Sequence, residues 1–125
     1  IIICVQDQAV RETLRRLNAA VMGNDGDPFY GAPTVVCVLA DRSVTTHVED
    51  ASLVIGNMMN AAFSVGVDSC WIHRAKETFD LPEWKEFLKK LGIEGEYEGI
   101  GNCIVGYPDM QPQEKPRKEN RIYYI

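Results

Sequence analysis

Hydrophobic residues arrive in two rhythms along this chain, as short continuous runs and as stretches that repeat every three or four positions. The runs IIICV at 1–5, TVVCVLA at 34–40, VDSCWI at 67–72 and YEGIGNCIVG at 97–106 are β-prone and of strand length. The second is continuous in Val and Leu, which predicts a strand buried on both faces. Between the runs, Val10, Leu14, Leu17 and Val21 step at helical spacing and predict a helix over 8–22. A further helix over 82–91 opens on Pro82 and is stopped by Gly92. Residues 23–33 hold Asn24, Asp25, Gly26, Asp27 and Pro28, a cluster of turn formers that predicts a loop.

The most apolar stretch is the helix expected over 49–65. Ala51, Val54, Ile55, Met58, Ala61, Ala62 and Val65 make its core face, while Leu53, Met59 and Phe63 lie off that stripe. A helix apolar over so much of its girth needs cover on two sides, and in a chain this short a partner subunit can supply the second. Gly56 and Ala62 are small enough to allow close approach. Glu49 and Asp50 suit the positive end of the helix dipole, and Gly66 suits a left-handed C-terminal cap. The strand that follows carries its far end, Trp71 to Arg74, to a sheet edge, where α/β proteins commonly place ligands.

Composition narrows the classes. A length of 125 residues and a hydrophobic fraction of 46% fit one globular domain. The net charge of −5 is spread along the chain, which argues against a nucleic-acid surface. No apolar run approaches the ~20 residues of a membrane helix, and Ile1 to Val5 lacks the basic leader of a signal peptide. A cytoplasmic protein is the expectation. Cys4, Cys37, Cys70 and Cys103 recur every 33 residues, but nothing else repeats at that spacing. Each sits inside a strand-like run, so the expectation is four small buried side chains; no pair has zinc-ligand spacing, and no metal site is expected. The segment GIEGEYEGIG at 92–101 is no phosphate loop, because Glu94, Glu96 and Glu98 would repel the anion. Beyond Pro108 the chain turns to Pro, Gln, Lys, Arg and Glu and ends in the β-prone RIYYI, which divides it into a core over 1–108 and an extended C-terminal arm over 109–125.

Several separate blocks resemble the FMN-dependent nitroreductase family, in its small branch from anaerobic bacteria. They are FYGAP at 29–33, EDAS at 49–52, GNMMNAAFSVGVDSCWIHRAKE at 56–77, LGIEGEYEGIGNCIVGYP at 91–108 and PRKENRIYYI at 116–125. The resemblance implies an α+β nitroreductase-like fold, a mixed sheet of four to five strands flanked by helices. It also implies a homodimer with FMN at the subunit interface, joined through the helix 49–65 and an arm that adds a strand to the partner's sheet. Electrons would pass from NAD(P)H through flavin N5 to a nitroaromatic, quinone or similar acceptor by ping-pong exchange. The cofactor carries that chemistry, so few catalytic side chains are expected.

Residue by residue, the resemblance puts Trp71, Ile72 and His73 along the isoalloxazine, with a backbone N–H at or near His73 directed at N5 as the catalytic contribution. Arg74 is a further cofactor-binding candidate. Lys115, Arg117 and Lys118 are candidates for the FMN phosphate, for which fork-like cationic donors are suited. Family members open with an Arg-rich helix that grips the phosphate; nothing of that kind precedes Ile1, so the chain reads as lacking its N-terminal segment. A dimerising fragment without flavin, or a same-fold flavin enzyme with other reductive chemistry, is the alternative.

Overall fold

The computed structural model describes residues 1–125. Its elements run β1 (Ile2–Val5), α1 (Gln8–Val21), β2 (Thr34–Asp41), α2 (His47–Ser64), β3 (Asp68–Ile72), α3 (Ala75–Phe79), α4 (Pro82–Lys90) and β4 (Tyr97–Gly106). The strands form one sheet in the order β1-β2-β4-β3, and every pairing is antiparallel. The α+β class is as expected; within this chain the sheet has four strands, so a mixed sheet needs a strand from outside it. Residues 107–125 are exposed and carry no helix or strand. No helix is long and apolar enough to cross a membrane.

Local sequence sets most boundaries. Asp7 caps α1 by accepting a 2.9 Å hydrogen bond from the N–H of Val10. At the other end of α2, Gly66 adopts φ 76° and Val67 donates back to the Ala62 carbonyl at 3.0 Å. Gly92 at φ 74° and the Ile93 to Leu88 bond of 3.0 Å repeat this stop after α4. Both are left-handed caps that satisfy carbonyls the helix would otherwise leave open. The helix α3 has no counterpart in the hydrophobic pattern, since five residues are too few to show a helical period.

Strand order decides burial. Central β2 is buried from Thr34 to Leu39, whereas β1 and β3 are edges. Cys37 and Cys103 on the two inner strands are therefore buried, but Cys4 and Cys70 on the edge strands are exposed, contrary to the expectation of four buried thiols. Burial pushes the Cys37 and Cys103 thiols up from their ordinary range. All four cysteines are free.

The two faces of the sheet are unequally covered. One carries a cluster of 13 buried residues from the sheet, α1, α3, α4 and the loop before β2, including Leu14, Phe29, Leu39, Phe79 and Trp84. The other, under α2, has only 5, Val36, Val38, Ala51, Ile55 and Cys103. Of the core face expected on α2, only Ala51 and Ile55 are buried, and of the apolar residues off that face Leu53 is 68% and Phe63 82% exposed. The chain covers α2 along one narrow strip and leaves the rest of its apolar girth open.

Candidate functional site

The site begins where β3 stops pairing. The register of β2 against β4 slips between Val38 and Leu39, with Ile100 as the extra residue. Pairing of β3 with β4 ends at Ile72 opposite Asn102, just before that irregularity, which releases the chain from the sheet. Arg74 then takes the left-handed conformation at φ 73°, and α3 starts at Ala75.

One buried side chain orients this turn. Asn18 of α1 is fully buried; its amide donates to the His73 carbonyl at 3.0 Å, and its oxygen accepts from Arg74 Nε at 3.3 Å. The peptide joining His73 to Arg74 is planar and trans, so its N–H points opposite to its C=O. With the carbonyl turned in to Asn18, the Arg74 N–H faces away from the core. Neither that N–H nor the one of His73 donates to any acceptor in the chain. Two adjacent backbone donors are thereby left open, an arrangement suited to an acceptor atom or a developing negative charge. The Arg74 guanidinium has no carboxylate partner.

These donors border a cavity of about 420 Å³, in the size range of small-molecule sites. Trp71, Ile72, His73 and Arg74 form one part of its lining, so the structure brings together the four candidates from the end of β3. The Trp71 and His73 rings lie 6.3 Å apart, and His73 is exposed. The other part is the loop between α1 and β2, with Asn24, Asp27 and Tyr30 among its contributors. Sequence reasoning assigned these residues to a loop and not to a site. The available signal was Tyr30, a bulky aromatic set among turn formers and directly before Gly31.

That loop is fastened to α1. Arg15 donates to the carbonyls of Asp25 and Gly26, both at 2.7 Å, and Arg11 Nε donates to the Ala32 carbonyl at 2.7 Å. Asp27 accepts from the N–H groups of Phe29 and Gly31 at 2.8 and 2.9 Å and pairs with Arg11 at 3.2 Å. Partial burial opposes its charge, but these bonds outweigh burial and hold the carboxyl below its ordinary range. Phe29 is buried completely and anchors the loop in the core.

The remaining candidates lie apart. Lys115, Arg117 and Lys118 are exposed on the 107–125 stretch and do not line the cavity. The acidic segment that runs into β4 serves another purpose: Glu98, the second residue of β4, accepts a 3.0 Å hydrogen bond from Lys76 and lies 3.7 and 3.8 Å from Arg42 and His47. It ties β4 to α3. His, Cys, Asp and Glu nowhere gather in a group of three that could hold a metal ion.

Similar solved structures share this architecture. An FMN-bound nitroreductase from Bacteroides fragilis superposes with a TM-score of 0.86 at 27% identity, over 100% of this chain and 75% of that one. A nitroreductase with bound FMN from Desulfitobacterium hafniense gives 0.83 at 19% identity, over 99% of this chain and 74% of that one. An FMN-dependent nitroreductase from Clostridium difficile gives 0.80 at 20%, over 100% and 77% respectively. No curated protein matches the chain. The model of the nitroreductase family matches residues 5–107, a span that holds all four helices and β2, β3 and β4, and the chain therefore belongs to the nitroreductase family.

Proposed function

We propose that this protein is an FMN-dependent oxidoreductase that takes electrons from NADH or NADPH and passes them to a nitroaromatic, a quinone or a similar acceptor in ping-pong fashion. The observation that carries the reading is the pair of open backbone donors at His73 and Arg74 on the rim of the cavity. The residues present fit a flavin: a small-molecule cavity with Trp71 in its lining, two free N–H groups and a guanidinium without a carboxylate partner meet the needs of a flat, electron-accepting ring that gains charge on reduction. When bound, FMN supplies the hydride acceptor and donor. Trp71 and Ile72 would pack along the ring, and the N–H groups of His73 and Arg74 would stabilise the charge of its reduced form. In this role His73 acts through its backbone and leaves its imidazole free to vary.

Two features support a homodimer as the working unit. The apolar girth of α2 lies open to solvent in a single chain, with Leu53, Phe63 and Val65 exposed. The arm beyond the core lies on nothing of its own, although Ile122, Tyr123, Tyr124 and Ile125 are apolar or aromatic. We assign α2 to the subunit contact, residues 1–108 to the core and 109–125 to an arm that reaches the partner. On the arm, Lys115, Arg117 and Lys118 would meet the FMN phosphate of the neighbouring site. Four free thiols suit a cytoplasmic setting.

The decisive experiment is to purify the protein, record its visible absorbance, and titrate it with FMN. Bound flavin that NADH or NADPH bleaches and a quinone restores is the expected result. A colourless protein that takes up no added FMN refutes the reading.

A further inference from the structure

Only three non-glycine residues have positive φ, Tyr30 at 51°, Arg74 at 73° and Asn120 at 55°, and the first two border the same cavity. Strain of this kind persists where the surroundings over-determine it, and it concentrates at ligand sites. For Arg74 the reason is that its conformation opens a backbone donor. For Tyr30 packing offers none: its neighbour Phe29 is fully buried, yet Tyr30 itself is 79% exposed. An exposed position at positive φ suits Gly or Asn, and a large aromatic there gains nothing from the core.

What holds Tyr30 out is built from both sides. Asp27 grips the N–H groups on either side of it, those of Phe29 and Gly31, and its own N–H bonds back to the Asp27 carbonyl at 3.3 Å. Arg11 and Arg15 then fasten the loop to α1. The ring is thus presented at the mouth of the cavity by a segment other than the one that supplies the open donors.

We propose that Tyr30 is the acceptor-selecting residue of this site, an aromatic surface against which a planar aromatic electron acceptor stacks while His73 and Arg74 serve the cofactor. This rests on the flavin reading given above. Its chemistry favours flat ring compounds, nitroaromatics and quinones, over compact acceptors, because an aromatic face rewards stacking and gives a small ion nothing. The hydroxyl is dispensable in this role, so Tyr30→Phe should behave as the native protein.

The test uses the flavin-loaded protein and compares Tyr30→Ala, Tyr30→Phe and Tyr30→Gly. Tyr30→Ala should raise the KM for menadione and for a nitroaromatic roughly 2- to 13-fold, weaken equilibrium binding of the non-reducible 2-naphthoate by a similar factor, and leave the KM for ferricyanide and the affinity for FMN in place. Tyr30→Phe should restore both aromatic values. Tyr30→Gly relieves the backbone and should melt no lower than the native protein. Unchanged KM and 2-naphthoate affinity in Tyr30→Ala, or weakened FMN binding with aromatic KM unchanged, overturns the assignment of Tyr30 alone. A lower melting temperature for Tyr30→Gly assigns the ring a structural role and overturns it as well. A native protein that holds no flavin overturns the site reading first, and this proposal with it.

Discussion

Replacing Gly99 by Ala tests whether α3 is held in place by the sheet beneath it. A Cβ at Gly99 would lie 2.4 Å from the Ala75 carbonyl oxygen, 2.6 Å from its carbon and 2.9 Å from Phe79 Cδ2. Two of these are backbone atoms, so no rotamer change relieves them. To reach an ordinary contact of 3.4 Å the first turn of α3 must retreat by about 1 Å. Overpacking of this kind costs about 1–3 kcal/mol, and for a chain of this size each kcal/mol lowers the melting temperature by roughly 3–6 °C. A drop of roughly 3–18 °C follows from those two figures. Trp84 packs on Phe79 with centroids 5.1 Å apart, so tryptophan fluorescence during thermal unfolding reads the affected element. Because Ala75 follows Arg74 directly, the retreat also turns the open donors, and misplacement of about 1 Å can cost on the order of 100-fold in turnover. A Gly99→Ala protein that melts within about 2 °C of the native one would show that α3 does not rest on β4 as described.

Three further outcomes are expected. Phe63→Asp puts a charge on the open face of α2 and should convert a dimer to a monomer in sedimentation; an unchanged mass would remove α2 from the subunit contact. The pair Arg117→Ala and Lys118→Ala should weaken FMN affinity by about 10- to 1,000-fold, the worth of one or two charged hydrogen bonds, without moving the melting temperature of the flavin-free protein; full retained affinity would free the arm of that role. The carboxyl of Glu98 is held below its ordinary value of 4.5 chiefly by the hydrogen bond from Lys76. A lowered folded pKa adds stability that is present above pH 4.5 and is lost as the pH falls through the folded value. Glu98→Gln should therefore flatten the acid limb of the stability profile, and an unchanged limb would show that the Lys76 contact contributes nothing.

Much of the architecture was legible because it is local. The strand over Tyr97–Gly106 and the stops at Gly66 and Gly92 follow from β-prone runs and from glycine at a left-handed position. What escaped depends on partners distant in sequence. The exposure of Cys4 and Cys70 follows from strand order, which no single run encodes. Helix α3 is too short to carry a period and is held by Glu98 on Lys76, Asn18 near Thr78 and the bare backbone of Gly99. Half of the cavity was readable, since the run ending in Trp71 to Arg74 leads to a sheet edge. The other half was not, because the loop with Tyr30 meets that edge only once α1 is folded between them. The cations of the arm were readable as a cluster, but a single chain gives the arm no surface to lie on.

The fastening of the 25–32 loop by Arg11 and Arg15 bears on the thermodynamics of ligand entry. Most of its bonds run from guanidinium groups to main-chain carbonyls, so the loop's conformational entropy is surrendered when the protein folds and not when a ligand arrives. The cavity is preorganised. Affinity across a series of acceptors should then track the shape of the acceptor, with little protein rearrangement to blur it, and residence times should vary more than association rates.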